Sequence, residues 1–219
     1  MNLSCAASVM ERHNGVKVPK GDLVMARNQS VSVRNLTLGA MLTALVVVLQ
    51  LVGSFIRFGP FSISLVLIPI VIGAATCGPY IGAWLGLVFG VVVLISGDAA
   101  FFLQFNAPAT ILVVLVKGTL CGLLAGVAYR ALAQKSSWLA VIVAAVICPL
   151  VNTGIFLIGC FLFFEEAVAA LAAGAGFTGS ITAFMFVGLA GFNFLFEMGF
   201  NLVLSPVVVR LLNIRQKQN

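Results

Sequence analysis

The chain is a series of long apolar blocks parted by short polar breaks. The block from Ala109 to Tyr129 reads ATILVVLVKGTLCGLLAGVAY. It meets the requirement of about 20 apolar residues for a helix that crosses a bilayer. Five more blocks of this kind predict six spans in all. The first runs from about Leu36 to Ile56, the second from about Ile63 to Ala75 with Pro69 inside it, and the third from about Ile81 to Ser96. A wetter segment from Gly97 and Asp98 through Asn106 to Pro108 leads into the fourth, Ala109 to about Leu132. The fifth covers about Trp138 to Phe163. Glu165 and Glu166 then open a Gly/Ala-rich stretch, read as a loop to about Gly179. The sixth, about Ile181 to Leu212, is longer than a bilayer needs, so it must tilt or protrude.

Composition fixes the class. With 62% hydrophobic and 8% charged residues, the 219-residue chain is expected to be an all-α polytopic membrane protein rather than a soluble domain. Residues 1–33 are polar and mixed, and are predicted to form a disordered cytoplasmic tail. Residues 34–213 form the six-helix membrane domain, and 214–219 a basic cytoplasmic end. The tail shows no secretory-signal pattern, and Met25 is an alternative start. Ten of the twelve Lys and Arg fall on one side of the predicted membrane: Arg12, Lys17, Lys20, Arg27, Arg34, Arg130, Lys135, Arg210, Arg215 and Lys217. The positive-inside rule therefore puts both termini in the cytoplasm. The five cysteines show no CxxC or metal-ligand spacing, so neither a metal nor a cofactor is expected.

Candidate chemistry sits inside the spans. Lys117 lies roughly 12 Å from the outer start of span four at 1.5 Å per residue. A charge there costs a few kcal/mol unless it meets a partner or a wet cavity. Span six carries Asn193, Glu197 and Asn201 at spacing four, on one helix face. Span five offers Asn152, one turn before Phe156. A pocket between spans four, five and six would set a cation beside amide groups, which suits a small anionic molecule rich in hydroxyls and amides. Two readings of Lys117 stand: an anchor for a ligand carboxylate, or a structural pair with Glu197. Asn201 reads as a helix–helix hydrogen bond. At the outer surface, Arg57 and the run Phe101 to Asn106, with Gln104, face the entrance, either as an interfacial belt and headgroup anchor or as a lid that attracts anions. The segment Ala167–Ser180 is a second candidate for closing the site.

Small residues recur at spacing four: Gly82, Gly86 and Gly90 in span three, Gly118, Gly122 and Gly126 in span four, Ala40 and Ala44 in span one. Such faces let helices approach closely. The glycines read as internal packing. The alanines allow internal packing or docking to another membrane subunit.

These residues resemble a known family. Ala40-Met-Leu-Thr-Ala44, the run Ile68-Pro69-Ile70-Val71-Ile72-Gly73, then Gly78-Pro79 and the glycine ladder to Gly90 are similar to the substrate-binding S component of an energy-coupling factor (ECF) vitamin transporter. The resemblance covers about Leu36 to Leu212. Within the family it is most similar to pantothenate-type members, to which Pro149-Leu-Val-Asn152-Thr153 adds. It implies capture of a small water-soluble vitamin from outside, with pantothenate the first candidate. It also implies partners in the prokaryotic cell membrane: a transmembrane coupling subunit, met by the Ala40 and Ala44 face, and two cytoplasmic ATPases. The chain has no GxxxxGK[ST] phosphate loop of its own.

Enzyme chemistry is not expected. The single histidine, His13, lies in the tail, and among the acids only Glu197 is expected at membrane depth, short of the pair an aspartyl mechanism needs. A stand-alone secondary transporter or small channel for a small organic solute is the competing class. It would show Gly/Pro-broken spans in a repeat, and no second half matches the Pro69 span.

Overall fold

The structure, a computed structural model, describes residues 20–55, 57–58, 61–62 and 65–217. The chain forms two compact units, 1–37 and 38–219. In the first, residues 20–37 are the leading part of helix α1 (Lys20–Phe55), where Thr37 Oγ1 donates to Val33 O at 3.0 Å. Part of the expected tail, residues 1–19, lies outside the described residues; from Lys20 onward the backbone is helical.

The second unit is almost wholly helical. Arg57–Phe58 (β1) and Phe61–Ser62 (β2) form a two-residue antiparallel ladder after α1, with Arg57 opposite Ser62. Then come α2 (Leu67–Cys77), α3 (Pro79–Ile95), α4 (Ala100–Phe105), α5 (Ala107–Ala133), α6 (Ser137–Phe163) and α7 (Glu165–Gly174). Helix α8 (Ile181–Phe184), a π-helical segment Met185–Gly191, and α9 (Phe192–Lys217) complete the chain. Among the described residues, four helical stretches are long and apolar enough to cross a membrane: Asn35–Phe55, Ala107–Ala133, Ser137–Phe163 and Ile181–Arg210. Helices α2 and α3 are apolar but shorter. The protein is an all-α membrane protein.

Local chemistry sets the boundaries. Asn106 caps α5 by accepting from Ala109 N at 3.2 Å, and Ser136 caps α6 by accepting from Leu139 N at 3.4 Å. Both satisfy donors that the first helical turn leaves without partners. Pro69 falls inside α2, as expected, and in its first turn, where its missing N–H removes no intrahelical bond. Gly78 turns the chain from α2 into α3 at φ +102°, which a side chain would resist, and Arg130 lies against it.

The wetter segment and the stretch read as a loop are both partly helical. The wetter segment contains α4, and the Gly/Ala-rich stretch opens as α7. Alanine is the best helix former, Glu165 and Glu166 in the first turn favour the positive helix end, and Ala167, Val168 and Ala172 are buried.

The glycine ladders cross each other. A Cβ on Gly82 would stand 2.5 Å from Gly122 O, and one on Gly90 would stand 2.9 Å from Val114 O. Gly86 and Gly118 abut each other's carbonyls more closely still. Helices α3 and α5 therefore touch backbone to backbone. Around this seam one apolar cluster joins α2, α3, α5, α6 and α9, with Ile70, Leu85, Cys121 and Val141 fully buried. A second cluster joins α4, α6, α7 and the π segment through Phe102, Phe164, Val168 and Leu189.

Helix α1 meets the bundle along a stripe of Gly39, Leu42, Val46 and Gln50, all buried. Ala40 and Ala44 lie on its exposed side, with Met41, Leu45 and Val48.

Candidate binding cavity

Where the two apolar clusters meet, the structure encloses a cavity of about 100 Å³. One water occupies roughly 10–15 Å³ on the same measure, so the space admits several waters or part of a small organic molecule. The walls are mainly apolar, with Phe89 of α3, Phe102 of α4, Val113 and Val114 of α5, Phe156 of α6 and Leu189 of the π segment. A few polar groups interrupt them, the general character of a small-molecule site.

Four of the residues singled out from sequence meet in this wall: Lys117, Asn152, Phe156 and Glu197. Lys117 projects from the third turn of α5, and its Nζ lies 5.3 Å from the centre of the Phe156 ring and 5.9 Å from that of Phe89. Both distances are within cation–π range. Among the described residues Lys117 forms no salt bridge, while Glu197 and Asp98 stand in the same wall. Both sequence readings of Lys117, ligand anchor and partner of Glu197, therefore concern this cavity.

Glu197, 3% exposed, is tied to α6: Asn152 Nδ2 donates to its Oε2 at 3.5 Å. Asn152 is 4% exposed, and its Oδ1 has no hydrogen-bond partner among the described residues. A buried acceptor left unpaired costs about 1–3 kcal/mol. It is the group in the wall that most needs a donor from whatever fills the cavity. Asn201, one turn below Glu197, is also buried, with no partner for its Nδ2 among the described residues, but it does not line the cavity.

The other singled-out residues lie elsewhere. Gln104 is exposed and outside the wall. Asn106 is the cap of α5: its side chain holds Ala109 N and its carbonyl accepts from Thr110 Oγ1 at 2.7 Å, so it shapes the helix start and does not face the cavity. Arg57 sits in the β1–β2 ladder and Asn193 in α9, but their side chains lie outside the described residues. The aromatic run is not simply an outer belt. Phe102 is buried and packs edge-on against Phe156 at 5.4 Å and Phe164 at 5.3 Å, closing one side of the cavity.

Sequence reasoning passed over Gln50 and Asp98, which both line the cavity. Gln50 Nε2 donates to Asp98 Oδ2 at 2.6 Å. Gln50 carried a usable signal, a long polar side chain well inside an apolar span, the same argument that selected Lys117. Asp98 looked like a surface acid because it follows the end of α3. It is a second acid in the wall beside Glu197, where only one was expected at depth.

These features define an all-α membrane protein with a largely apolar cavity whose wall carries a few polar side chains. Residues 34–209 match the family model of the ECF transporter substrate-specific component. The chain belongs to that family, and so is a substrate-binding transporter subunit. No curated protein and no solved structure matches it.

Proposed function

We propose that the chain captures a small water-soluble vitamin from the outer side of a prokaryotic cell membrane and passes it to a coupling subunit and two ATPases. Six spans with both termini in the cytoplasm fit this reading, with α2 and α3 as the short second and third spans. The observation that carries it is the presence in one cavity of the Lys117 ammonium, beside two rings, and the Asn152 Oδ1, neither with an ionic or hydrogen-bond partner among the described residues. A solute with a carboxylate for Lys117 and an O–H or N–H for Asn152 satisfies both. Pantothenate has these groups and is the first candidate. Ala40 and Ala44, exposed on α1, are the face offered to the coupling subunit.

The test is to purify the protein alone in detergent and identify by mass spectrometry any vitamin that travels with it. Bound pantothenate is the expected result. A different vitamin would keep the capture role and replace the substrate. Protein that carries no solute, and transports in cells lacking the coupling subunit and ATPases, would overturn the reading in favour of a stand-alone carrier.

A further inference from the structure

The cavity wall holds four neutral side-chain donors: Gln50 Nε2, Thr110 Oγ1, Asn152 Nδ2 and Thr153 Oγ1. Three of them have protein acceptors. Gln50 donates to Asp98 Oδ2 at 2.6 Å, Thr110 to the carbonyl of Asn106 at 2.7 Å, and Asn152 to Glu197 Oε2 at 3.5 Å. The Thr153 hydroxyl has no hydrogen bond among the described residues, and it lines the cavity. A helical threonine readily turns its hydroxyl back on the carbonyl four residues earlier. Thr43, Thr76 and Thr119 do so at 2.8, 2.7 and 2.8 Å. For Thr153 that carbonyl is Pro149 O, and no such bond forms among the described residues. Its neighbour has the opposite need. Asn152 is 4% exposed, and its Oδ1 is an acceptor without a partner among the described residues. Consecutive helical residues project about 100° apart, so the two side chains flank one arc of the wall. A neutral group that both gives and takes a hydrogen bond, a hydroxyl or a secondary amide, answers both. A carboxylate has no proton for Asn152, and an ammonium has no lone pair for Thr153.

We propose that Thr153 is a specificity-determining residue of the cavity: it donates to the same hydroxyl or amide group of the solute that donates to Asn152 Oδ1, while Lys117 holds the carboxylate. The assignment rests on the vitamin-capture reading above. It adds a neutral contact to the charged one, so a carboxylate of the right size without such a group is rejected. Rejection of this sort is strong because an analogue lacking the group leaves the buried Asn152 acceptor unpaired.

The experiment crosses ligand with protein. The probes are pantothenate and N-(3,3-dimethylbutanoyl)-β-alanine, which keeps the carboxylate, amide and methyl groups and lacks both hydroxyls. Affinities are measured by titration calorimetry on purified wild-type protein, Thr153→Val, which keeps the shape and loses the hydroxyl, and Thr153→Ser, which keeps the hydroxyl. Thr153→Val is expected to weaken pantothenate binding at least fivefold, and Thr153→Ser to stay within twofold of the wild type, with thermal midpoints unchanged in the absence of solute. Should Thr153→Val fail to fold, as judged by size exclusion, Thr153→Ala replaces it with the same expectation. A loss confined to pantothenate supports the proposal with a hydroxyl as the group read. An equal loss for both probes, rescued by Thr153→Ser, supports it with the amide as that group. Pantothenate affinity within twofold of the wild type in Thr153→Val would overturn the proposal. So would an equal loss in Thr153→Val and Thr153→Ser, which would make Thr153 a packing residue. If neither probe binds wild-type protein, the pantothenate reading itself falls and takes this assignment with it.

Discussion

Asn152 on α6 reaches Glu197 on α9 through its Nδ2 at 3.5 Å, while its Oδ1 stays buried without a partner among the described residues. One side chain thus ties two helices together and presents an unmet acceptor to the cavity. Replacing it separates the two roles. Asn152→Asp keeps the shape and the acceptor but loses the donor and sets a second carboxylate beside Glu197. Asn152→Leu removes both functions and keeps the volume. Binding of the co-purified vitamin to Asn152→Leu is expected to weaken about tenfold, the equivalent of one hydrogen bond of about 1.4 kcal/mol. Calorimetric affinity unchanged within twofold would assign Asn152 a purely structural role.

The crossing of α3 and α5 leaves no room for side chains. A methyl group at Gly86 would meet the backbone carbonyl of Gly118, which cannot rotate away. Overpacking of this kind costs about 1–3 kcal/mol. Gly86→Ala is expected to lower the thermal midpoint in detergent by several degrees. Gly154→Ala on α6 is the control, since nothing stands within 4 Å of the added carbon, and its midpoint is expected to match the wild type.

The aromatic segment before α5 divides into a working and an idle residue. Phe102 is buried against Phe156 and Phe164, whereas Gln104 is exposed beyond the wall. Phe102→Ala is expected to open the cavity on that side and to speed vitamin release at least fivefold in a stopped-flow or filter assay. Gln104→Ala is expected to leave the release rate within twofold. Equal effects would return the whole segment to the role of an interfacial belt.

Ala40 and Ala44 lie on the exposed side of α1, away from the stripe that ends at Gln50. Bulky residues there have space in the isolated subunit. Ala40→Leu/Ala44→Leu is expected to retain wild-type vitamin affinity and to abolish co-purification with the coupling subunit. A complex that still assembles would remove this face from the docking surface.

Much of this architecture was legible in the sequence. The blocks at Ala109–Leu132 and Trp138–Phe163 lie within α5 and α6 because an unbroken apolar run has few other options. The glycine ladders could be read because spacing four puts them on one face. What escaped notice depended on context. Helix α7 was hidden by the glycines at its end and beyond it, Gly174, Gly176 and Gly179, although its alanines and first-turn acids favour a helix. The π-helical segment, which brings Leu189 into the wall ahead of Glu197, has no local signature. Lys117, Asn152 and Glu197 were found because buried polar groups at membrane depth are costly, and Phe156 because it follows Asn152 by one turn. Asp98 was missed because a residue after a helix end reads as solvated, and only the tertiary fold turns it inward onto Gln50. Asn106 illustrates the reverse: a polar residue near the entrance is employed in capping a helix.

The most direct measurement is the vitamin affinity of Lys117→Met, a variant that keeps the long apolar stem and removes the ammonium. Lys117 is held over Phe89 and Phe156 without a salt bridge among the described residues, so its charge is taken as the counter-charge of a bound carboxylate. Titration calorimetry on protein that folds and melts like the wild type is expected to show affinity at least tenfold weaker. An affinity within twofold of the wild type would contradict the account, and Lys117 would then be a structural cation stacked between two rings.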